Sequence, residues 1–117
     1  MSKVFYLVEF TIESGKVNEF RELAKGFIGE VQASEAGTLG YQWYLAEDDS
    51  RCLIQETFES SEALLTHLGN VGPKLPALLA IAPLSRLEVF GPVSDDARGA
   101  LATLGAIHFS HVAGFDR

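Results

Sequence analysis

The segment Val4 to Ile12 has the composition of a β-strand that is apolar on nearly both faces. On one face lie Val4, Tyr6, Val8, Phe10 and Ile12. On the other lie Phe5, Leu7, Glu9 and Thr11. Helices can cover only one face of a four-stranded antiparallel sheet, so the second face needs another cover. A second copy of the chain is the expected cover, and the C-terminal tail is the alternative.

The rest of the first 91 residues alternates between helical and strand patterns. Apolar residues at steps of three and four predict an amphipathic helix from Val17 to Val31. Three more strands are predicted at 39–46, 51–58 and 84–90, and a helix begins at Ser60 or Ser61, runs to about Gly69 and is followed by a short helical piece reaching Ala80. The order strand, helix, strand, strand, helix, strand predicts an α+β domain of the ferredoxin-like split βαβ type.

A tail, residues 92–117, follows the Gly91-Pro92 break. Ser94 is placed to cap a short helix that ends before Gly105, and Ala106 to Val112 reads as a fifth, edge strand. We therefore expect a domain at 1–91 and a helix–strand extension at 92–117 that packs on the same domain or on its partner.

Charge and cysteine content exclude several classes of function. The formal charge of −7 without a basic cluster argues against nucleic acid and anionic membranes as partners. The lone Cys52 provides neither a disulfide framework nor a Cys-rich metal site. Together with an N-terminus that lacks the features of a signal peptide, these properties predict a cytoplasmic protein.

Two stretches resemble the antibiotic biosynthesis monooxygenase domain family. They are the octapeptide Gly37 to Tyr44, and Gln55 to Leu64 followed by His67. The Gly15-Lys16 entry into the first helix is also similar, and the likeness extends to about residue 91. The resemblance implies a dimeric α+β barrel. The family includes oxygenases that convert hydroxylated aromatics to quinones without metal or flavin, haem-degrading enzymes, an isomerase and proteins without known activity.

His67 is the candidate catalytic residue, because the family pattern places a histidine at this position. It is expected at the margin of the apolar face of its helix, where it can act as proton acceptor or electrostatic partner. The alternative is a helix histidine that is hydrogen-bonded to a backbone carbonyl.

Aromatic residues on the strands are candidates for contacts with a planar ligand. Trp43 and Tyr41 share one strand face and offer a stacking surface with N–H and O–H groups. Phe58 and Tyr6 complete the predicted apolar wall. Core packing alone explains large aromatics in a sheet equally well.

Glu56 lies among apolar residues of its predicted strand, so its carboxylate needs a partner or a shifted pKa. An ion pair between Arg86 and either Glu56 or Glu88 is the simpler expectation. In the functional alternative, Glu56 or Glu9 is a polar anchor within the ligand pocket.

No metal or cofactor is predicted. His108 and His111 would point to opposite faces of a strand, and no third ligand lies at a suitable spacing. The haem-degrading members of the family use an Asn on the first strand, and Val4 to Ile12 contains none.

The sequence thus predicts a cofactor-independent monooxygenase of a hydroxylated aromatic or quinol-like molecule. The alternative is a non-catalytic homodimer that binds a small molecule or serves as an accessory subunit. An isomerase acting on a small polar carbonyl compound would require a more polar pocket.

Overall fold

A computed structural model describes residues 2–117 as one five-stranded sheet with helices packed on one face. The strands are β1 (Val4–Thr11), β2 (Thr38–Leu45), β3 (Arg51–Phe58), β4 (Leu84–Phe90) and β5 (Ile107–Phe109). The helices are α1 (Val17–Ser34), α2 (Ser61–Val71), α3 (Leu75–Leu79) and α4 (Asp95–Ala102), with a 3-10 turn at Gly72–Lys74. The order across the sheet is β2-β3-β1-β4-β5. The predicted α+β, ferredoxin-like architecture is confirmed.

The first four strands pair in antiparallel fashion, with β1 between β3 and β4. Alternate side chains of β1, from Val4 to Phe10, point towards the helices and are buried. They pack in one core with Phe20, Phe27 and Val31 of α1. Among residues 2–117, no helix is both long and apolar enough to cross a bilayer.

The C-terminal extension packs against the same chain. Ala97 and Leu101 of α4 are fully buried in the core, and the backbone N–H of Ser94 donates to the hydroxyl of Ser61 at 2.9 Å. This hydrogen bond joins the start of α4 to the start of α2. The extension therefore covers one end of the helical layer.

The fifth strand is shorter than the predicted 106–112 segment, and it runs parallel to β4. It pairs with only three β4 residues, and Gly91 N–H donates to the carbonyl of Phe109 at 3.1 Å. An edge strand with one neighbour has few ladder bonds to prolong it, so the chain leaves the sheet after Phe109.

The sheet face opposite the helices carries exposed aromatic residues. Phe5 is 40% exposed and Tyr44 is 54% exposed, and Phe90 stacks on Phe109 with ring centroids 5.3 Å apart. The tail residues Ser110 to Val112 lie beside Phe5, and both Phe5 and Tyr44 remain accessible within a single copy.

Candidate active site

Helix α2 brings His67 into the interior of the domain. Ser60 caps this helix, because its hydroxyl accepts a hydrogen bond from Ala63 N–H at 3.1 Å. His67 shares the buried side of α2 with Leu64 and Val71 and is only 2% exposed. The expectation of a position at the margin of the apolar face is therefore wrong.

Glu35 follows the last turn of α1 and holds one side of the His67 ring. Its Oε1 lies 2.7 Å from Nδ1 of His67 and accepts from the Thr38 hydroxyl at 2.8 Å. Its Oε2 accepts from the amide Nδ2 of Asn70 at 2.7 Å. This carboxylate thus connects α1, β2 and α2.

Glu56 of β3 approaches the other side of the same imidazole. Its Oε1 lies 3.0 Å from Nε2 of His67, and the Tyr6 hydroxyl also interacts with this carboxyl. Glu56 is 4% exposed. Both ring nitrogens of His67 therefore face carboxylates.

Burial and the interactions between neighbouring groups shift the pKa values of Glu35, Glu56 and His67. Burial alone would raise the pKa of Glu35, but hydrogen bonds from Asn70, Thr38 and His67 outweigh it and lower that pKa. Burial raises the pKa of Glu56 despite the opposing effect of His67. Burial alone would lower the pKa of His67, but Glu56 and Glu35 outweigh it and raise the pKa. The protonated imidazolium is favoured between a firmly ionised Glu35 and a Glu56 that retains its proton to higher pH.

Two tyrosines and a phenylalanine surround this cluster. Tyr41 meets the His67 ring edge-on with centroids 5.2 Å apart, and the Phe58 centroid is also 5.2 Å from that of His67. Burial, followed by the charge of Glu56, raises the pKa values of Tyr6 and Tyr41. Both phenols therefore stay neutral and can donate hydrogen bonds.

A cavity of about 50 Å³ lies between the sheet and the helices. Its walls include Tyr6, Tyr41, Trp43, Glu56 and His67. The indole Nε1 of Trp43 is buried without a hydrogen-bond partner. Buried polar atoms normally find partners, so Trp43 Nε1 is the group best able to meet a polar ligand atom.

Two other predicted contact residues lie outside this cavity. Phe58 packs behind it, against Tyr6 at a centroid distance of 5.1 Å. Glu9 points to the opposite face, where its carboxylate contacts Arg51 Nη1 at 2.8 Å and lies 3.3 Å from the Ser85 hydroxyl. Glu9 is therefore not a pocket anchor.

Of the two expected partners for Arg86, the structure pairs it with Glu88 and not with Glu56. Arg86 pairs in register with Glu9, on the face away from Glu56, and its Nε lies 3.5 Å from Glu88. The expected contact between Arg86 and Glu88 does form. Glu56 instead has His67 as its charge partner.

Sequence patterns do not identify Glu35, which lies four residues past the predicted end of the first helix at Val31. One signal was present: a carboxylate at a helix C-terminus is disfavoured by the helix dipole, so it calls for a compensating partner.

Within residues 2–117, no group of three His, Cys, Asp or Glu side chains is arranged to hold a metal ion. Glu35 and Glu56 bind opposite nitrogens of His67, so their oxygens do not converge on one point.

The antibiotic biosynthesis monooxygenase family matches residues 4–74, which is more than half of the chain and includes Glu35, Glu56 and His67. The chain belongs to this family. Comparison with curated proteins gives no significant match.

Solved structures with the same fold include MupZ from Pseudomonas fluorescens, with a TM-score of 0.89 and 25% identity over 100% of this chain and 96% of MupZ. Rv0793 from Mycobacterium tuberculosis has a TM-score of 0.68 and 20% identity over 80% of this chain and 98% of its own. The third is a mutant of SnoaB, a cofactor-independent oxygenase from Streptomyces nogalater. It has a TM-score of 0.66 and 18% identity over 77% of this chain and 92% of SnoaB. The MupZ similarity extends over the C-terminal extension, whereas the family match ends at residue 74.

Proposed function

We propose that the protein is a cofactor-independent monooxygenase of a small hydroxylated aromatic or quinol-like molecule. The observation that carries this proposal is Glu56, a buried carboxyl that lines the cavity and contacts the imidazole of His67 at 3.0 Å. Family membership and the fold shared with SnoaB support the reaction class.

Glu56 is better placed than His67 to take a proton from the substrate. Nδ1 of His67 is held by Glu35 and Nε2 faces Glu56, so neither ring nitrogen is free for a ligand. The raised pKa of Glu56 brings this carboxyl towards the range useful for a general base near neutral pH. His67 then acts as the electrostatic partner that stabilises the carboxylate before proton transfer.

Removal of a phenolic proton creates an electron-rich phenolate that can react with oxygen at a ring carbon. The carbon–oxygen bond forms to one atom of O₂, and the ring carbon then loses its hydrogen as the O–O bond breaks. One oxygen atom becomes the new carbonyl of a quinone, and the other leaves as water with two hydrogens from the substrate. The substrate supplies all four electrons, so this step is balanced without an additional reductant.

The site residues orient the substrate for this reaction. Trp43 Nε1 and the hydroxyl of Tyr41 can donate hydrogen bonds to an oxygen on the substrate, whereas the hydroxyl of Tyr6 is directed to Glu56. The apolar walls limit water, which strengthens the interaction between His67 and Glu56.

Two copies pair through the face that bears Phe5 and Tyr44, which gives a homodimer with one site inside each copy. The buried Cys52, whose thiol pKa is raised by burial to about 11, is unreactive. A single unpaired cysteine of this kind supports a reducing, cytoplasmic setting.

Oxygen uptake with a panel of hydroquinones, simple phenols and anthrone-like compounds tests the reaction. We expect turnover of at least one compound, with kcat lower by roughly 10² to 10⁴ in Glu56→Gln. The matched control is Glu9→Gln, which changes a buried carboxyl on the opposite sheet face and should retain turnover. No uptake above buffer across the panel, or full activity in Glu56→Gln, contradicts the proposal.

The alternative, a non-catalytic small-molecule-binding or accessory dimer, predicts a different result. Such a protein retains a ligand in the same cavity and releases it unchanged. Product analysis after incubation with a bound ligand in aerated buffer separates the two functions.

A further inference from the structure

The cavity beside Glu56 and His67 is smaller than a ligand of the proposed class. Its volume is about 50 Å³. One water molecule takes roughly 30 Å³ in the liquid, so this space suits one or two waters and not a phenol ring. A ring can reach Glu56 only if a lining side chain moves, and that side chain needs free space beside it.

Trp43 is the lining residue that has such space on its other side. A groove of about 450 Å³ opens to solvent between α1 and the hairpin of β2 and β3. Within residues 2–117, Trp43 alone lines both this groove and the cavity. The indole is therefore the wall between them. The other residues of the groove are Phe20, Arg21, Ala24, Lys25, Ile28, Leu45 and Cys52.

The order of side chains along β2 shows which space the indole occupies. Tyr41, Trp43 and Leu45 alternate onto one face of the strand, each about 7 Å from the next. Tyr41 meets the ring of His67, with centroids 5.2 Å apart, and Leu45 lines the groove. Trp43 meets Tyr41 edge-on at 5.6 Å. Displacement of the indole would thus free space next to Tyr41 that is continuous with the cavity.

The surroundings of Trp43 allow this movement. Strand β2 lies at the edge of the sheet and pairs only with β3, and none of its residues is fully buried. Trp43 is partly buried, and its aromatic neighbours on α1 are Phe20 at 5.9 Å and Phe27 at 6.0 Å between centroids. A change of side-chain rotamer moves the indole without moving the strand.

We propose that ligand binding displaces the indole of Trp43 into the groove, and that the aromatic ring of the substrate takes the vacated space beside Tyr41. This inference rests on the proposed function, since it specifies how the same site receives its substrate. An indole is larger than a phenol ring, so its departure leaves room for one hydroxylated ring at Glu56. Trp43 is thereby a specificity-determining residue, because a ligand binds only when its contacts outweigh the cost of displacing the indole.

Fluorescence can follow this movement because Trp43 is the only tryptophan in the chain. The probes are phenol and hydroquinone, titrated without oxygen. On binding, the emission of Trp43 should shift to longer wavelength, and acrylamide should quench it more strongly, because the indole passes from the interior to the open groove. A ligand that entered a fixed pocket would instead shield the indole from acrylamide.

Two alanines of α1 provide a matched pair of variants. Ala24→Leu fills part of the groove and leaves the lining of the cavity unchanged. The indole then has less room to enter, so the Kd for phenol should rise by about tenfold or more. Ala33→Leu makes the same change at an exposed position of the same helix and should leave that Kd unchanged.

A third variant removes the indole. Trp43→Val keeps a residue suited to a strand and opens the cavity to the groove. The affinity of the bicyclic 2-naphthol relative to phenol, measured by calorimetry, should therefore rise above that of the wild type.

Trp43 emission that is unchanged or better shielded on binding overturns the inference. A wild-type Kd in Ala24→Leu, an unchanged 2-naphthol preference in Trp43→Val, or no binding of either probe to the wild type does the same. Displacement of Trp43 without oxygen uptake rejects the oxygenase function and keeps the ligand site. Oxygen uptake with an undisturbed Trp43 rejects the displacement and keeps the oxygenase.

Discussion

The carboxylate of Glu35 and the imidazole of His67, 32 residues apart in sequence, form a buried contact of 2.7 Å between Oε1 and Nδ1. Both side chains are 2% exposed. The contact joins the end of α1 to the middle of α2 and gives His67 a fixed orientation towards Glu56. A charged side chain at the C-terminus of α1 is tolerated because Asn70 and Thr38 also donate to it.

Replacing Glu35 with Gln should lower the pKa of His67, because a neutral amide no longer stabilises the imidazolium. NMR titration of the three histidine side chains can follow this change. We expect a loss of about 2 kcal/mol in unfolding free energy, since one donor now faces an amide NH₂. Glu13→Gln, at an exposed position, is the control. An unchanged His67 titration would refute the role given to Glu35.

The stability of the protein should depend on pH through the same three residues. The folded pKa of His67 lies above its ordinary 6.5, so its contribution is complete below that pH and is lost as pH rises through the folded pKa. The folded pKa of Glu56 is also raised, so the stability that this residue contributes is complete below pH 4.5 and is lost as pH rises through its folded pKa. The lowered pKa of Glu35 has the reverse effect, with stability lost as pH falls below 4.5 through the folded pKa. Urea unfolding should therefore show the largest contribution of this cluster in mildly acidic solution.

Two variants separate these contributions. The double variant His67→Gln with Glu56→Gln should flatten the alkaline decline, and Glu35→Gln should flatten the acidic one. If both variants retain the wild-type pH profile in urea titrations, the three residues do not control it.

Gly37 is predicted to be intolerant of a side chain because of its contact with α2. A Cβ at this position would lie 2.7 Å from Cβ of Ala63 and 3.2 Å from Oε2 of Glu59. Gly37→Ala should therefore cost about 1–3 kcal/mol and displace the turn that carries Glu35. Gly26→Ala is the matched control, since its Cβ meets open space within α1 and should stabilise by about 0.5–1 kcal/mol. Thermal unfolding compares the two, and equal effects would contradict the steric explanation.

The sheet was largely predictable from local patterns. The run of apolar and β-branched residues predicts β1, and the strand patterns at 39–46 and 51–58 predict β2 and β3, because these signals lie within neighbouring residues. The segment 84–90 was predicted with the observed ends. The tail strand was predicted too long because its length depends on pairing with β4, which no local pattern reports.

The candidate site was harder to predict because its key contacts are distant in sequence. Tyr41, Trp43, Glu56 and His67 were proposed from residue type and family pattern, and the structure places all four at one cavity. Glu35 could not be assigned to His67 without the packing of α1 against α2. The side of the sheet occupied by Glu9 was readable from alternation, but its partner Arg51 was not.

The open face of the sheet should make the protein a dimer, and Phe5 on the central strand β1 is the residue at which to test this. Phe5→Arg replaces an apolar side chain that is already 40% exposed in one copy, so the fold should persist. A dimer would bury two such positions, each contributing about 1.5 kcal/mol or more as Phe, and its dissociation constant should rise at least a hundredfold. Sedimentation velocity measures the change, with Gln32→Arg on the exposed side of α1 as control. Wild-type particles of only 12.7 kDa at micromolar concentration would show that this aromatic surface does not pair.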